Sequence, residues 1–329
     1  MAKLSRRTSR LLIIGKIVVS VGLLTLLLAR TDLRALVTRL RGMNPSWMIG
    51  ALGLYSAMVW VGAWRWRLLL AAQSVKVSLS TLAESFLVAT FFNNFLPSNI
   101  GGDVIRIADT APLTTSKTVA TTVILVDRVL GLLALFAVAG GGLLAASRVR
   151  VGVPEVGYVW GLFAAAIAIS ILAFFFPHAL PRLLSPLRVI EPEWVDERLR
   201  RLGNTLAGFR QRPRYLGQAF VGAVLVQVGI VLFYLCIARG LSIGLPPQYA
   251  AVLVPISLIV QMLPISINGL GVREAVFAFF FASFGFSTDS ALALSLFGAA
   301  LILLFSISGG ILLVRRGLIP APLQSDTVR

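Results

Sequence analysis

Charge is scarce in this sequence. Only 13% of its 329 residues are Asp, Glu, Lys or Arg, while 57% are apolar. Soluble domains carry about 25% charged residues, so a water-soluble globular domain is excluded. A mean hydropathy of +0.90 excludes intrinsic disorder too, because disordered chains are poor in apolar residues. The short alternating strands of an outer-membrane barrel are also missing. Cysteine and histidine are nearly absent, with one of each, Cys236 and His178. A single thiol forms no internal disulfide. One Cys and one His supply neither the usual metal cluster nor a Cys–His nucleophile pair. No phosphate-cradling glycine loop with its lysine is present, which argues against an ATP-driven pump. No metal, cofactor or catalytic residue is expected.

What the sequence does have is long apolar runs. They lie at roughly 11–29, 47–63, 82–100, 118–146, 156–176, 217–238, 249–284 and 290–314. A spanning helix needs about 20 apolar residues, so the chain reads as an all-α polytopic membrane protein with about eight hydrophobic segments. Acidic residues are outnumbered, 13 against 30 basic, for a net charge of +17. The basic excess sits in loops and ends, as in positive-inside loops, and not in a nucleic-acid-binding face. The N-terminal KLSRRTSR with the apolar run after it resembles a signal peptide. That run is long and no small-x-small cleavage site follows, so it is read as a retained first helix with its basic end in the cytoplasm.

Two runs are broken. The first is interrupted at residues 92–102, FNNFLPSNIGG, and the second at residues 263–271, LPISINGLG. Pro and Gly there interrupt the backbone hydrogen-bond ladder. Irregular backbone at membrane depth must be buried in protein or line a wet cavity. If both segments are re-entrant hairpins, the inside regions 1–10, 64–81, 101–117, 177–216 and 315–329 hold 20 Lys and Arg. The outside regions 30–46, 147–155, 239–248 and 285–289 hold 7, four of them in 30–46 against the trend. This bias puts both termini in the cytoplasm of a multi-pass protein of the inner (plasma) membrane. The 177–216 loop is too short for a domain with its own core and suits an amphipathic surface helix.

The two breaks match each other. Leu96-Pro97-x-x-Ile100-x-Gly102-x-x-Ile105-Arg106 aligns without gaps on Leu263-Pro264-x-x-Ile267-x-Gly269-x-x-Val272-Arg273, at an offset of 167 residues. The same offset carries 47–63 and 118–146 onto the runs at 217–238 and 290–314. The chain thus reads as a single membrane domain, 1–329, with repeat halves at 47–146 and 217–314. Six spanning helices and two re-entrant broken-helix hairpins form an inverted repeat. Broken helices at matching positions of such repeats point to a transporter-like site between the halves.

FFNNFLPSNIGGDVIRI (91–107) and LPISINGLGVREAVF (263–277), with the Asp127-Arg128 pair in the next helix, resemble the signature regions of the lysylphosphatidylglycerol synthase/flippase transmembrane family. The resemblance extends over about residues 10–315. Members with synthase activity carry extra helices and a soluble aminoacyl-transferase domain after this region, for which a chain ending at 329 leaves no room. The resemblance therefore implies the lipid-translocating part and not the synthase. Short members include some linked to export of lipid-linked glycans or hopanoids, so the substrate does not carry over.

Polar groups inside apolar segments face the bundle interior or a wet cavity. The candidate substrate-binding residues are Asn93, Asn94, Asn99, Asp103, Arg106, Asp127, Arg128, Asn268, Arg273 and Glu274. The backbone breaks are Pro97, Gly101, Gly102, Pro264, Gly269 and Gly271. Half-helices restarting after the glycines aim N–H groups at the break, and an arginine beside them grips phosphate, so lipids with phosphate-bearing headgroups are the expected partners. Structural roles compete residue by residue. Asp103 and Glu274 suit helix N-termini, Arg273 has Glu274 or Asp127 as a partner, and Asn93 and Asn94 suit broken backbone. Asp127 and Arg128 point about 100° apart and are expected to pair with the hairpins. Trp60, Trp64 and Trp66 with Arg65 and Arg67 read as an interfacial anchor, and Gly140–Gly142 as close helix packing. The expected function is a flippase-like lipid or lipid-linked substrate translocase. The alternatives are an integral-membrane enzyme or a scaffold in lipid or envelope-glycan synthesis, with self-association or envelope partners. An enzyme would show a paired acid and base or a metal motif. A scaffold would tolerate loss of Arg106, Asp127 or Arg273.

Overall fold

The computed structural model describes residues 41–95, 101–114, 116–147, 192–262, 266 and 268–316, with isolated positions between 21 and 38 and at 161 and 165. For 192–199 the backbone alone is described. Among the described residues there is no strand. The helices are α1 (Pro45–Ala72), α2 (Leu79–Phe95), α3 (Gly101–Thr110), α4 (Lys117–Ser147), α5 (Pro192–Gln211), α6 (Pro213–Gly240), α7 (Pro247–Gln261), α8 (Val272–Ser283) and α9 (Thr288–Arg315). Four of them, α1, α4, α6 and α9, are long and apolar enough to cross a membrane. At 1.5 Å per residue a 28-residue helix is about 42 Å long, more than the ~30 Å hydrocarbon core. The expected spans at 11–29 and 156–176 lie largely outside the described residues.

Local sequence sets the helix ends. Pro45 and Pro213 start α1 and α6, where a missing N–H is harmless. Asn44 Oδ1 accepts the Ser46 N–H at 3.0 Å. Both helices end the same way. Ser74 and Ser242 take positive φ, 62° and 56°, and the next N–H reaches back to a helix carbonyl, Val75 to Leu70 at 3.0 Å and Ile243 to Ala238 at 2.7 Å. This is the left-handed closure that satisfies a helix's last carbonyls.

These two ends are 168 residues apart, and the whole order of elements recurs near that offset. α1 through α4 are followed by α6 through α9 in the same sequence of long helix, short helix, break, short helix, long helix. Packing recurs as well. α4 lies on α7 as α9 lies on α2, and α1 and α6 pack along each other. The direction of the α1–α6 pair follows from its close approaches. Gly240 faces Trp47 and Met48, Gly229 faces Met58, and Gly222 faces Trp64 and Arg65. As one number rises the other falls, so α1 and α6 are antiparallel.

Within the first half, α2 and α3 also fold back on each other. Asn93 Oδ1 accepts the Gly102 N–H at 2.7 Å, and Ser85 donates to Asp109 at 2.5 Å. Small residues make the tight crossings. A Cβ on Gly142 would sit 2.8 Å from the Ala251 backbone, and one on Gly309 would strike the Leu87 carbonyl. Backbones approach this closely in membranes because packing, not hydrophobicity, drives helix association there. The amphipathic α5 lies against α1, α4 and α6 and buries Leu206 and Phe209.

Candidate functional site

The polar centre is built around α3. Its first turn cannot hold a side chain at Gly102, because a Cβ would collide with the Ala89 carbonyl and Asn93. That close approach brings the α3 N-terminus against α2. Asp103 follows, in the first turn where a carboxylate is favoured. Arg106 comes one turn later on the same face, buried at 6% exposure. Its guanidinium stacks over the rings of Trp66, 4.4 Å from the centroid, and Phe86, 5.1 Å away. Such stacking is favourable for a desolvated cation.

Asp127, at 2% exposure on α4, binds two arginines. Arg65 of α1 holds it bidentately, Nε to Oδ1 at 2.6 Å and Nη2 to Oδ2 at 3.0 Å. Arg106 Nη1 donates to Oδ2 at 3.0 Å. Arg106 Nη1 also lies 3.8 Å from Asp103, and Asp103 in turn accepts from Arg128 Nε. The result is one alternating chain, Arg65–Asp127–Arg106–Asp103–Arg128, carried by α1, α4 and α3. Burying charges requires such pairing, because each ion loses several kcal/mol of solvation.

All five residues line a cavity of about 330 Å³. Its other polar wall is Gln227 of α6, Gln261 of α7 and Asn268 of the second break, while Leu135, Val226 and Leu258 supply apolar surface. The second break reaches across to the first. Asn268, with φ of 48°, donates from Nδ2 to Asn94 Oδ1 at 3.1 Å.

The structure thus brings Asp103, Arg106, Asp127, Arg128 and Asn268 to one cavity. Asn93 serves the Gly102 N–H and Asn94 joins Asn268. Asn99, Pro97 and Pro264 lie outside the described residues. Arg273 and Glu274 form a separate buried cluster. Arg273 Nη2 donates to Glu274 Oε1 at 2.7 Å and its Nε donates to Ser295 Oγ at 3.0 Å. The other carboxylate oxygen accepts the Gly271 N–H at 2.6 Å, closing the start of α8. Gly269 and Gly271 both have positive φ, 73° and 82°, which glycine adopts without strain. Gly101 begins α3.

The reading of Trp64–Arg67 as an interfacial anchor is corrected for its core. α1 runs on to Ala72, so Arg65 and Trp66 are inside the helix and buried, at 8% and 0% exposure. Arg65 is buried because Asp127 neutralises it, and Trp66 because Arg106 covers it. Trp60 and Arg67 are exposed. Gln227 was missed, although a lone amide in an apolar helix is itself a signal. Among the described residues no three His, Cys, Asp or Glu side chains converge as metal ligands.

The family model of the lysylphosphatidylglycerol synthase TM region matches residues 13–310. The chain belongs to this family. The match takes in both breaks, every helix of the ion chain and all the cavity-lining residues. No curated protein and no solved structure matches the chain. Family membership and the four long apolar helices make it a multi-pass membrane protein with a lipid- or envelope-related role.

Proposed function

We propose that this protein moves a lipid or lipid-linked substrate across the inner membrane, with both termini in the cytoplasm. The observation that carries this reading is the five-membered ion chain bordering a cavity at the meeting point of the two breaks. A network of this size is a costly way to fasten helices that Gly–backbone crossings already fasten. Charged groups within membrane domains ordinarily mark substrate or ion pathways.

The reading includes an inverted repeat. α1 and α6 are equivalents near the 168-residue offset, and they run antiparallel. An axis relating them lies across the helices, hence in the membrane plane. The two hairpins then enter from opposite faces and touch through Asn94 and Asn268. Inverted halves around a midplane polar site are the frame on which alternating access is built.

Reconstitution tests it. The purified chain is placed in vesicles with headgroup-labelled anionic, zwitterionic and glycosylated lipids, and label on the inner leaflet is followed as it becomes accessible outside. At least one lipid class should exchange faster than in protein-free vesicles. Exchange at the protein-free rate for the whole panel refutes the translocase and leaves an enzymatic or scaffolding role.

A further inference from the structure

The two halves place an arginine at the same point and treat it in opposite ways. Arg106 and Arg273 are related by the 167-residue offset. In the second half every charge is answered locally. Glu274 takes Arg273, Ser295 and the Gly271 N–H, so that cluster holds one positive and one negative group and its carboxylate is fully engaged. In the first half three guanidiniums, Arg65, Arg106 and Arg128, face two carboxylates, Asp103 and Asp127. The cavity wall therefore carries one positive charge in excess. The surplus has a location too. Nε and Nη2 of Arg106 are buried and have no hydrogen-bond partner, although the residue lines the cavity. Buried donors left unsatisfied are rare and call for an explanation.

We infer that the first half alone holds the substrate's anion, and that the anion is a single phosphate diester or monoester carrying one negative charge, gripped by Arg106. A monoanion brings the wall to neutrality, whereas a dianion would overshoot it. Two free N–H groups on one guanidinium match two phosphate oxygens. Trp66 and Phe86 hold the guanidinium plane in place beforehand, so little ordering is needed on binding. A cavity of about 330 Å³ is at the lower end of ligand pockets. It suits a headgroup, with acyl chains left in the bilayer. Arg273 is a positioning residue that secures the α8 N-terminus.

This inference rests on the translocase reading for its use in the cell, but binding is measured without transport, so either can fail alone. The purified full chain in neutral detergent is offered phosphatidylglycerol or diacylglycerol, which lacks phosphate, and retained lipid is counted. Inorganic phosphate is the soluble competitor. Wild type should retain phosphatidylglycerol over diacylglycerol by roughly 10-fold, the scale of a charge-assisted contact. Arg106→Gln removes the surplus charge and should abolish that preference. Arg128→Gln, at a partly exposed position, also brings the wall to zero charge and should do the same if Arg106→Gln does not fold. The paired Arg273→Gln/Glu274→Gln variant should keep the preference. Retention of the preference in folded Arg106→Gln and Arg128→Gln, or its loss in the folded 273/274 pair, overturns the assignment. Displacement of the lipid by equimolar inorganic phosphate supports the anion site and assigns its ligand to solution; resistance to phosphate assigns it to the lipid headgroup.

Discussion

Replacing Asp127 with Leu tests whether the ion chain is one energetic unit. Asp127 is buried and accepts three hydrogen bonds, two from Arg65 and one from Arg106. Its removal strands the Arg65 guanidinium, which has 8% exposure and little access to water. Breaking a buried pair from one side costs about 3–5 kcal/mol, because the remaining charge stays desolvated and unpaired. Arg106 is less affected, since Asp103 lies 3.8 Å away and Trp66 lies beneath it. The second replacement, Arg65→Leu in the same chain, removes the stranded charge. The double variant should regain all but about 1–2 kcal/mol, because an apolar pair of similar volume replaces a buried ion pair at little net loss. The measurement is a double-mutant cycle on unfolding free energy, by denaturing-detergent titration in mixed micelles. A coupling energy above about 2 kcal/mol is expected for charges in direct contact. A cost below about 1 kcal/mol for Asp127→Leu, or strict additivity of the two changes, would refute the claim that Arg65 depends on Asp127.

Three further outcomes follow from the same geometry. Gly142→Ala and Gly309→Ala should each destabilise by about 1–3 kcal/mol, since each new Cβ meets backbone of a neighbouring helix. Gly141→Ala has open space and should be neutral or slightly stabilising in the same titration. Glu274→Ala removes the partner of Arg273 and of the Gly271 N–H together, and should lower stability by about 3–5 kcal/mol; adding Arg273→Leu should recover much of it, and no recovery would show the carboxylate acting through another contact. In a Cys236→Ser background, Lys76→Cys and Gly244→Cys sit in equivalent exposed turns after α1 and α6; an impermeant thiol reagent should label them from opposite faces of the membrane, and labelling of both from one face would refute the inverted arrangement.

Local features of the chain were legible because their causes are local. Apolar runs mark the four long helices, and Pro and Gly mark the breaks. A short motif, Leu-Pro followed by Ile, Gly and Arg at fixed spacings, sets the offset at which the elements recur. The pairing of charges was not legible. Arg65 and Asp127 are 62 residues apart, and nothing in either stretch names the other. Hydropathy alone ends the first run near residue 63, because Arg65 and Arg67 look like the start of a loop. In the fold one of the two is exposed and its neighbour but one is buried against a carboxylate from α4. A count of inside basic residues includes Arg65 and Arg106 for the same reason. Composition cannot tell a solvated guanidinium from one neutralised by another helix. Arg273 shows the converse. Its partner is adjacent in sequence, but Asp127 was an equal candidate until α4 was seen to spend that carboxylate on Arg65 and Arg106.

The two halves share what geometry demands and differ in what it leaves free. The left-handed serines 74 and 242, the glycines 102 and 269, and the glycines 142 and 309 recur because a helix end, a turn and a close crossing each admit few residues. The charges face a weaker demand. An arginine buried beside the break needs one carboxylate within reach, and the fold does not dictate where that carboxylate comes from. In the first half it comes from the following long helix, as Asp127, which Arg65 also claims. The matching position in the second half is Leu294, and the requirement is met by Glu274, where the first half has Ile107. Arg128 likewise corresponds to Ser295, which donates to Glu274 and adds no charge. A neighbour in sequence closes the second cluster on itself. A partner on another helix draws Arg65 into the first and leaves it open to the cavity. Two nearly equal backbones therefore yield one sealed cluster and one exposed to a ligand, and the distinction turns on the single step that moves the carboxylate from α4 to the residue after the arginine.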